Sequence, residues 1–275
     1  MIKRKIPSTG EELPVLGLGT WSTFDVTDNS LMEPLSQVLQ IMKQNGAKLI
    51  DSSPMYGNSE KVIGDLTADP KLSNYFFYAT KVWTTGRQDG INQMESSFQK
   101  MRRNTMDLMQ IHNLTDWKTQ LHTLRAWKSQ GKIRYIGITH YTDSAHPDLE
   151  SVLNSEDGID FVQFNYSIFS RNAERRLLNA AADRGVATLI NRPFGKGRDF
   201  AAVKNKQLPQ WADEYSIKTW SQFFLLYIIS HPAVTVVIPA TANPAHASEN
   251  FNITTAQLPD QAFREKMALF VEDNI

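Results

Sequence analysis

Short, strongly apolar runs alternate along this chain with longer segments in which apolar residues recur every three or four positions, and eight such pairs can be drawn. The short runs suit strands buried on both faces; they fall at residues 15–19, 48–51, 76–81, 108–112, 133–139, 161–165, 187–191 and 234–239. The longer segments predict helices over 31–44, 60–66, 91–101, 117–130, 147–153, 173–184, 220–230 and 259–272. In the third, Ile91, Met94, Phe98 and Met101 share one face, while Gln93, Ser97 and Lys100 turn elsewhere. Gly46, Gly131 and Gly185 stand near the ends of such helices, where a left-handed terminating residue is needed. Strict β-then-α alternation implies parallel strands with right-handed crossovers, hence an open doubly wound sheet or a closed barrel. Eight units predict an α/β fold in its closed form, a single (β/α)8 TIM barrel over 1–275. Ahead of the first strand, residues 3–5 and Leu13 flank the turn-like Ser8, Thr9 and Gly10, which predicts a short N-terminal β-hairpin closing the barrel floor.

Composition narrows what such a barrel does. The 29 basic and 29 acidic side chains cancel to a net charge of +0, which argues against nucleic acid as a partner. The absence of Cys excludes disulfides, thiolate nucleophiles and Cys-ligated metals. The opening MIKRKIPSTGEELP has positive charge but no apolar core behind it, so the chain reads as cytoplasmic. The most apolar stretch, 223–229, is interrupted by Ser230, His231 and Pro232, well short of the about 20 residues a membrane helix needs. It predicts a buried helix, not a membrane span.

In a barrel of this kind chemistry sits at the C-terminal mouth, so polar residues ending apolar strands are informative. Asp51 ends the second strand and is followed by Tyr56 in the turn SPMYG; Lys81 ends the third and His112 the fourth. Singly, each reads as readily as a cap, an ion pair or packing. Together they form a complementary set. A tyrosine, with a pKa of about 10, is a weak acid unless its phenolate is stabilised. Lys81 beside Tyr56 would lower that pKa, and Asp51 paired with Lys81 would keep the ammonium charged and aimed. Tyr56 and His112 would then donate to an oxygen that gathers negative charge as its carbon accepts hydride.

Six segments in order resemble the aldo-keto reductase family: GLGTW at 17–21, SPMYGNSE at 53–60 with Ile50, Asp51 and Ser52 ahead of it, TKVW at 80–83, LMQIH at 108–112, GKIRYIGIT at 131–139 and IPATANPAHASENF at 238–251. The resemblance implies a catalytic tetrad of Asp51, Tyr56, Lys81 and His112, and NAD(P)H-dependent reduction of aldehydes or ketones with Tyr56 as general acid. It also implies a nicotinamide cofactor bound without a Gly-rich Rossmann loop; no GxGxxG follows a strand, and for Gly17 and Gly19 backbone crowding is an equally good reading. By position, Thr20, Trp21 and Asp51 would border the nicotinamide, with Thr139, His140 and Gln163 near its carboxamide and Asn191 near its ring. Trp21 and Trp83 would wall the substrate side, with Tyr56 and His112 touching the substrate.

Three departures from the family pattern involve five positions. Thr139 and His140 replace a usual Ser-Asn pair, Asn191 replaces an aromatic residue that stacks on the nicotinamide, and Ala240 and His246 replace a Lys and an Arg that hold the adenosine 2′-phosphate. A phosphate monoester is best held by Arg forks or at a helix N-terminus. Thr241, Asn250 and His246 remain as candidates near the 2′-phosphate, and Glu249 either accepts from the adenine amino group or is simply solvated. The run 191–200, NRPFGKGRDF, reads as a pyrophosphate clasp built from Arg192, Pro193, Phe194, Gly195 and Lys196, or as an ordinary loop with solvated cations. NADP(H) is the favoured cofactor, with NAD(H) or dual use open. His140, His146 and His231 lack metal-ligand spacing, and no catalytic metal is expected. A metal-assisted barrel hydrolase and a weakly catalytic nicotinamide-binding regulatory module remain alternatives. The last helix nears Ile275, which predicts a short C-terminal loop and an open pocket for a small carbonyl substrate.

Overall fold

Among the residues that the computed structural model describes, 1–253 and 258–275, eight strands form one parallel sheet. In chain order they are Leu18–Gly19, Leu49–Asp51, Phe77–Val82, Met106–His112, Ile133–Thr139, Phe161–Asn165, Ala187–Asn191 and Val236–Val237, each paired with its chain neighbour. Single parallel bridges, Leu16 to Val237 and Gly19 to Ala240, join the first strand to the eighth and close the barrel. Both strands are shorter than their apolar runs because pairing at this seam is reduced to isolated bonds, such as Gly17 N–H to the Val237 carbonyl (2.8 Å). A Cβ on Gly17 would stand 2.7 Å from the Leu49 carbonyl oxygen, and one on Gly19 would stand 3.0 Å from that of Ile238, so backbone crowding accounts for both glycines. The expected hairpin pairs Lys3–Lys5 with Glu12–Pro14.

The predicted helices appear as Met32–Gln44, Ser59–Leu66, Arg87–Lys100, Trp117–Ser129, His146–Ser155, Leu177–Asp183, Trp220–Ile229 and Gln261–Asn274. Two details differ from the periodicity. The sixth segment begins as a 3-10 turn, Asn172–Arg175, and Arg176 (φ −147°, ψ −48°) breaks it from the α-helix. Further short helices, Pro70–Ser73, Arg198–Ala202 and Pro244–Phe251, lie in connections. Gly46, Gly131 and Gly185 all have positive φ, between 62° and 80°, as their helix-ending role requires. No described helix is long and apolar enough to cross a membrane.

Two hydrophobic clusters follow from the two-residue period of the strands. One joins Ile6 and Leu13 of the hairpin to Leu49, Phe77, Ala79, Leu108, Tyr135, Phe161, Ala187 and Leu189, and fills the barrel above its floor. The other takes the alternate residues, including Ile50, Tyr78, Met109, Ile136 and Val162, and packs them under the helices. Extending the inward rows by two residues at a time reaches Asp51, Lys81, His112, Thr139, Gln163 and Asn191 at the C-terminal rim. The alternation that fills the core thus delivers the polar residues to one mouth.

One inward position is a glycine for a spatial reason. A Cβ on Gly137 would lie 2.8 Å from Cγ of Gln110, the residue paired with it across the strands. Gly137→Ala is therefore expected to destabilise the fold by about 1–3 kcal/mol through overpacking, read as a lowered midpoint in denaturant unfolding. It is also expected to disturb the Gln110 side chain described below.

Candidate active site

The mouth of the barrel holds a cavity of about 510 Å³. At its base Lys81 is completely buried, and its Nζ donates to Asp51 Oδ2 at 2.7 Å and to the Ser52 carbonyl at 2.6 Å. The second Asp51 oxygen accepts from Gln110 Nε2 at 2.9 Å, and Thr20 Oγ1 donates to the Asp51 backbone carbonyl at 2.9 Å. Tyr56 sits above this pair: its ring centroid is 5.0 Å from Lys81 Nζ and 6.0 Å from the His112 ring, edge to face. Trp83 closes the other side of His112 at 6.4 Å. All four residues of the expected set are thus brought together.

Electrostatics decide the protonation states. Burial works against the Lys81 ammonium, but Asp51 and Tyr56 outweigh it and raise its pKa above the ordinary value, so the charge is kept. For Tyr56 the balance runs against the sequence expectation. Burial raises the phenol's pKa, and Lys81 lowers it by less, with Asp51 adding to the rise, so the net shift is upward. The cause is depth, which opposes phenolate formation more strongly than one ammonium that is itself shared with a carboxylate favours it. His112 is pushed down to about 3 by burial, then by the Lys81 charge and by His140. Its imidazole is neutral at physiological pH. Nδ1 is engaged by Ser53 Oγ at 3.1 Å, and Ser53 Oγ also accepts from the Met55 N–H at 3.2 Å.

The depressed His112 value carries a stability consequence. Unfolded, the ring titrates near 6.5 and folded near 3, so between these values the unfolded chain binds more protons and stability falls as pH falls. His231, pushed down to about 4 by burial and by Arg264, acts in the same direction. Urea unfolding midpoints measured from about pH 7 to about pH 4 are expected to decline, and His112→Gln is expected to flatten that decline.

Of the cofactor residues expected from sequence, Thr20, Trp21, Asp51, Thr139, Gln163, Asn191, Arg192, Pro193, Phe194 and Lys196 line the cavity, and His140 and Gly195 do not. The His140 ring stacks on Tyr141 (5.3 Å, 19°), and its Nδ1 accepts from the Thr142 N–H at 3.3 Å. Gly195 lies in the turn between Phe194 and Lys196, where its carbonyl accepts from Arg198 Nε at 3.0 Å. Thr241, His246, Glu249 and Asn250 lie outside the cavity lining, on and before the helix Pro244–Phe251. There the Thr241 hydroxyl accepts from the Asn243 N–H, Glu249 accepts from Ser221, Asn250 is buried and His246 is exposed. Trp21 and Trp83 are 46% and 38% exposed, so they wall the cavity and do not fill it.

The sequence model of the Aldo/keto reductase family matches residues 15–269. The chain belongs to this family. Methylglyoxal reductase YeaE of Escherichia coli is 27% identical over 270 residues, covering 94% of this chain and 92% of that protein. Methylglyoxal reductase DkgA of Yersinia pestis is 27% identical over 249 residues, covering 89% and 84%. In structure, an aldo-keto reductase from Klebsiella pneumoniae in complex with NADPH superposes with a TM-score of 0.83 at 21% identity over 98% of this chain and 96% of that one. The holo aldo-keto reductase AKR11C1 of Bacillus halodurans does so at 0.79 and 17% identity, covering 98% and 96%.

In this aldo/keto reductase three contributors have little or no signal in the sequence. Gln110 stands two residues before His112 in LMQIH, so only the inward period of two points to a place below the mouth. Ser53 carries no signal beyond its place in a polar turn. Tyr141, 40% exposed beside His140, supports the Arg192 guanidinium at 4.1 Å, a contact between separate loops that no local pattern announces.

Proposed function

We propose that this NAD(P)H-dependent carbonyl oxidoreductase reduces short aldehydes or ketones to alcohols, with Tyr56 as proton donor and Lys81, Asp51 and His112 setting its environment. The observation that carries this reading is the buried Lys81–Asp51 ion pair lying beneath a protonated Tyr56 and beside a neutral His112.

The cavity fits a nicotinamide on its own terms. Thr139 Oγ1 donates to Gln163 Oε1 at 2.8 Å, which leaves the buried Gln163 Nε2 without a partner. Asn191 Nδ2 donates to the His140 carbonyl at 3.2 Å, which leaves the buried Asn191 Oδ1 without a partner. One unmatched donor and one unmatched acceptor at the same rim complement a carboxamide, which offers one oxygen acceptor and one amino donor. In this arrangement Asn191 contributes an amide where stacking was the family pattern, and the His140 ring takes no part. NADP(H) is the preferred cofactor in this reading, NADPH being the ligand in the Klebsiella complex, with Lys196 and Arg198 of the loop after the seventh strand supplying positive charge to its phosphates.

When bound, the reduced cofactor supplies a hydride to the carbonyl carbon of the substrate. The protein's residues act on the oxygen. In the tautomer in which Ser53 Oγ donates to His112 Nδ1, Nε2 bears the imidazole proton and donates to the carbonyl oxygen. Tyr56 holds the same oxygen and gives up its phenol proton as charge develops there, completing the alcohol. The phenolate left behind is stabilised by the Lys81 ammonium, which Asp51 and the Ser52 carbonyl hold in place. The Trp21 and Trp83 rings shed water from the reacting centre.

The two relatives named methylglyoxal reductases make short aldehydes, methylglyoxal included, the class to test first. A cytoplasmic site of action accords with this chemistry. Titration with NADPH and NADH in parallel, read by tryptophan fluorescence, tests the reading. NADPH is expected to bind about tenfold or more tightly than NADH; equal affinities would remove the NADP(H) preference, and binding of neither would remove the enzyme reading.

A further inference from the structure

The charged side chains lining the cavity are Asp51, Arg192 and Lys196. Asp51 is neutralised by Lys81, whereas among the described residues no carboxylate lies within ion-pair distance of Arg192 or Lys196. A cavity in a chain of zero net charge therefore carries two uncompensated cations and no uncompensated acid. Such a field draws anions.

The two cations rest on different aromatic rings, and, after burial, Arg192 is near enough for its charge to help lower the Lys196 pKa below its ordinary value. Lys196 Nζ rests 4.3 Å from the centre of the Trp21 ring, just after the first strand, and the Arg192 guanidinium rests 4.1 Å from that of Tyr141, just after the fifth. Arg192 adopts a left-handed backbone conformation, φ +52°, sparsely populated by non-glycine residues and common where a functional group must be aimed. The ring contact holds its guanidinium at the rim, and among the described residues its N–H groups meet no acceptor, which leaves them open to a planar two-oxygen acceptor. Arg192 and the Tyr56 phenol are close enough for each charge to shift the other's ionisation.

We propose that Arg192 anchors the substrate, and that the preferred substrates are short carbonyl compounds bearing a carboxylate at the end remote from the carbonyl. This rests on the carbonyl-reductase reading above and deepens it. A carboxylate forked on Arg192 orients the molecule along the cavity, with its carbonyl end toward Tyr56 and His112 and its charge kept off the apolar Trp83 wall. Lys196, on the Trp21 ring, is left to the cofactor phosphates.

The test compares butanal with 4-oxobutanoate, in which a carboxylate replaces the terminal methyl, at saturating NADPH. Wild type, R192M and R192K are assayed, and NADPH Kd is measured by tryptophan fluorescence for each. Wild type is expected to favour 4-oxobutanoate in kcat/KM by about tenfold or more, R192M to bring the ratio to about one through KM, and R192K to keep part of the preference. A wild-type ratio near one, or a preference that survives in R192M, overturns the proposal. A loss in R192M shared equally by both substrates, with weaker NADPH binding, assigns Arg192 to the cofactor phosphates and overturns it as well. Absence of turnover of both aldehydes in wild type would sink the carbonyl-reductase reading and this inference with it, whereas turnover of both with a ratio near one sinks the Arg192 assignment alone.

Discussion

Tyr56→Phe is expected to lower kcat/KM for aldehyde reduction by about a thousandfold while leaving NADPH Kd within about twofold of wild type. The substitution removes one hydroxyl and no packing surface. The Lys81 ammonium beneath keeps its bonds to Asp51 and the Ser52 carbonyl, so the fold and the base of the site remain intact. What is lost is the proton for the developing alkoxide and one of two hydrogen bonds that tighten on it. His112, neutral and with Nδ1 engaged by Ser53, supplies only the other, and its low proton affinity makes it a poor substitute acid near neutrality. Steady-state assays at 340 nm beside a fluorescence titration separate the two quantities. A variant that loses cofactor binding as steeply as turnover would place Tyr56 in binding instead of proton transfer.

Lys81→Met is expected to act on stability and activity together. Both partners of the ion pair are nearly inaccessible, at 1% and 3% side-chain exposure, so removing the ammonium strands a buried carboxylate. Breaking such a pair costs about 3–5 kcal/mol, and in a chain of this size that lowers Tm by about 10 °C. Activity is expected to fall at least a hundredfold, because the Tyr56 phenolate loses the charge that stabilises it. The double variant Asp51→Asn/Lys81→Met distinguishes the two effects. It removes the stranded charge, so most of the Tm loss should be recovered, whereas activity should stay low. Recovery of both would make the pair structural only.

Apolar patterning alone places most of the site. The period of two that buries Leu49, Phe77, Ala79 and Leu108 inside the barrel also carries Asp51, Lys81 and His112 to the rim. The family motifs place Tyr56, which no strand carries. What stays hidden in the sequence depends on three-dimensional approach. Ser53 reaches His112 across 59 positions, and Arg192 meets Tyr141 from a separate loop; neither has a local signature. The protonation balance of Tyr56 differs from the sequence expectation because charge partners can be inferred from a sequence while depth of burial cannot. The break at Arg176 and the shortened strands at the closing seam likewise reflect tertiary fit over local propensity.

The central claim is that a protonated tyrosine delivers the proton, and the pH profile of kcat/KM for reduction by the wild-type enzyme addresses it. A phenol raised above its ordinary value by burial stays protonated through neutrality, so the profile should be flat from about pH 6 to about pH 9 and fall only at higher pH. A fall centred near pH 6 to 7 that disappears in His112→Gln would show an imidazolium to be the acid and contradict the account.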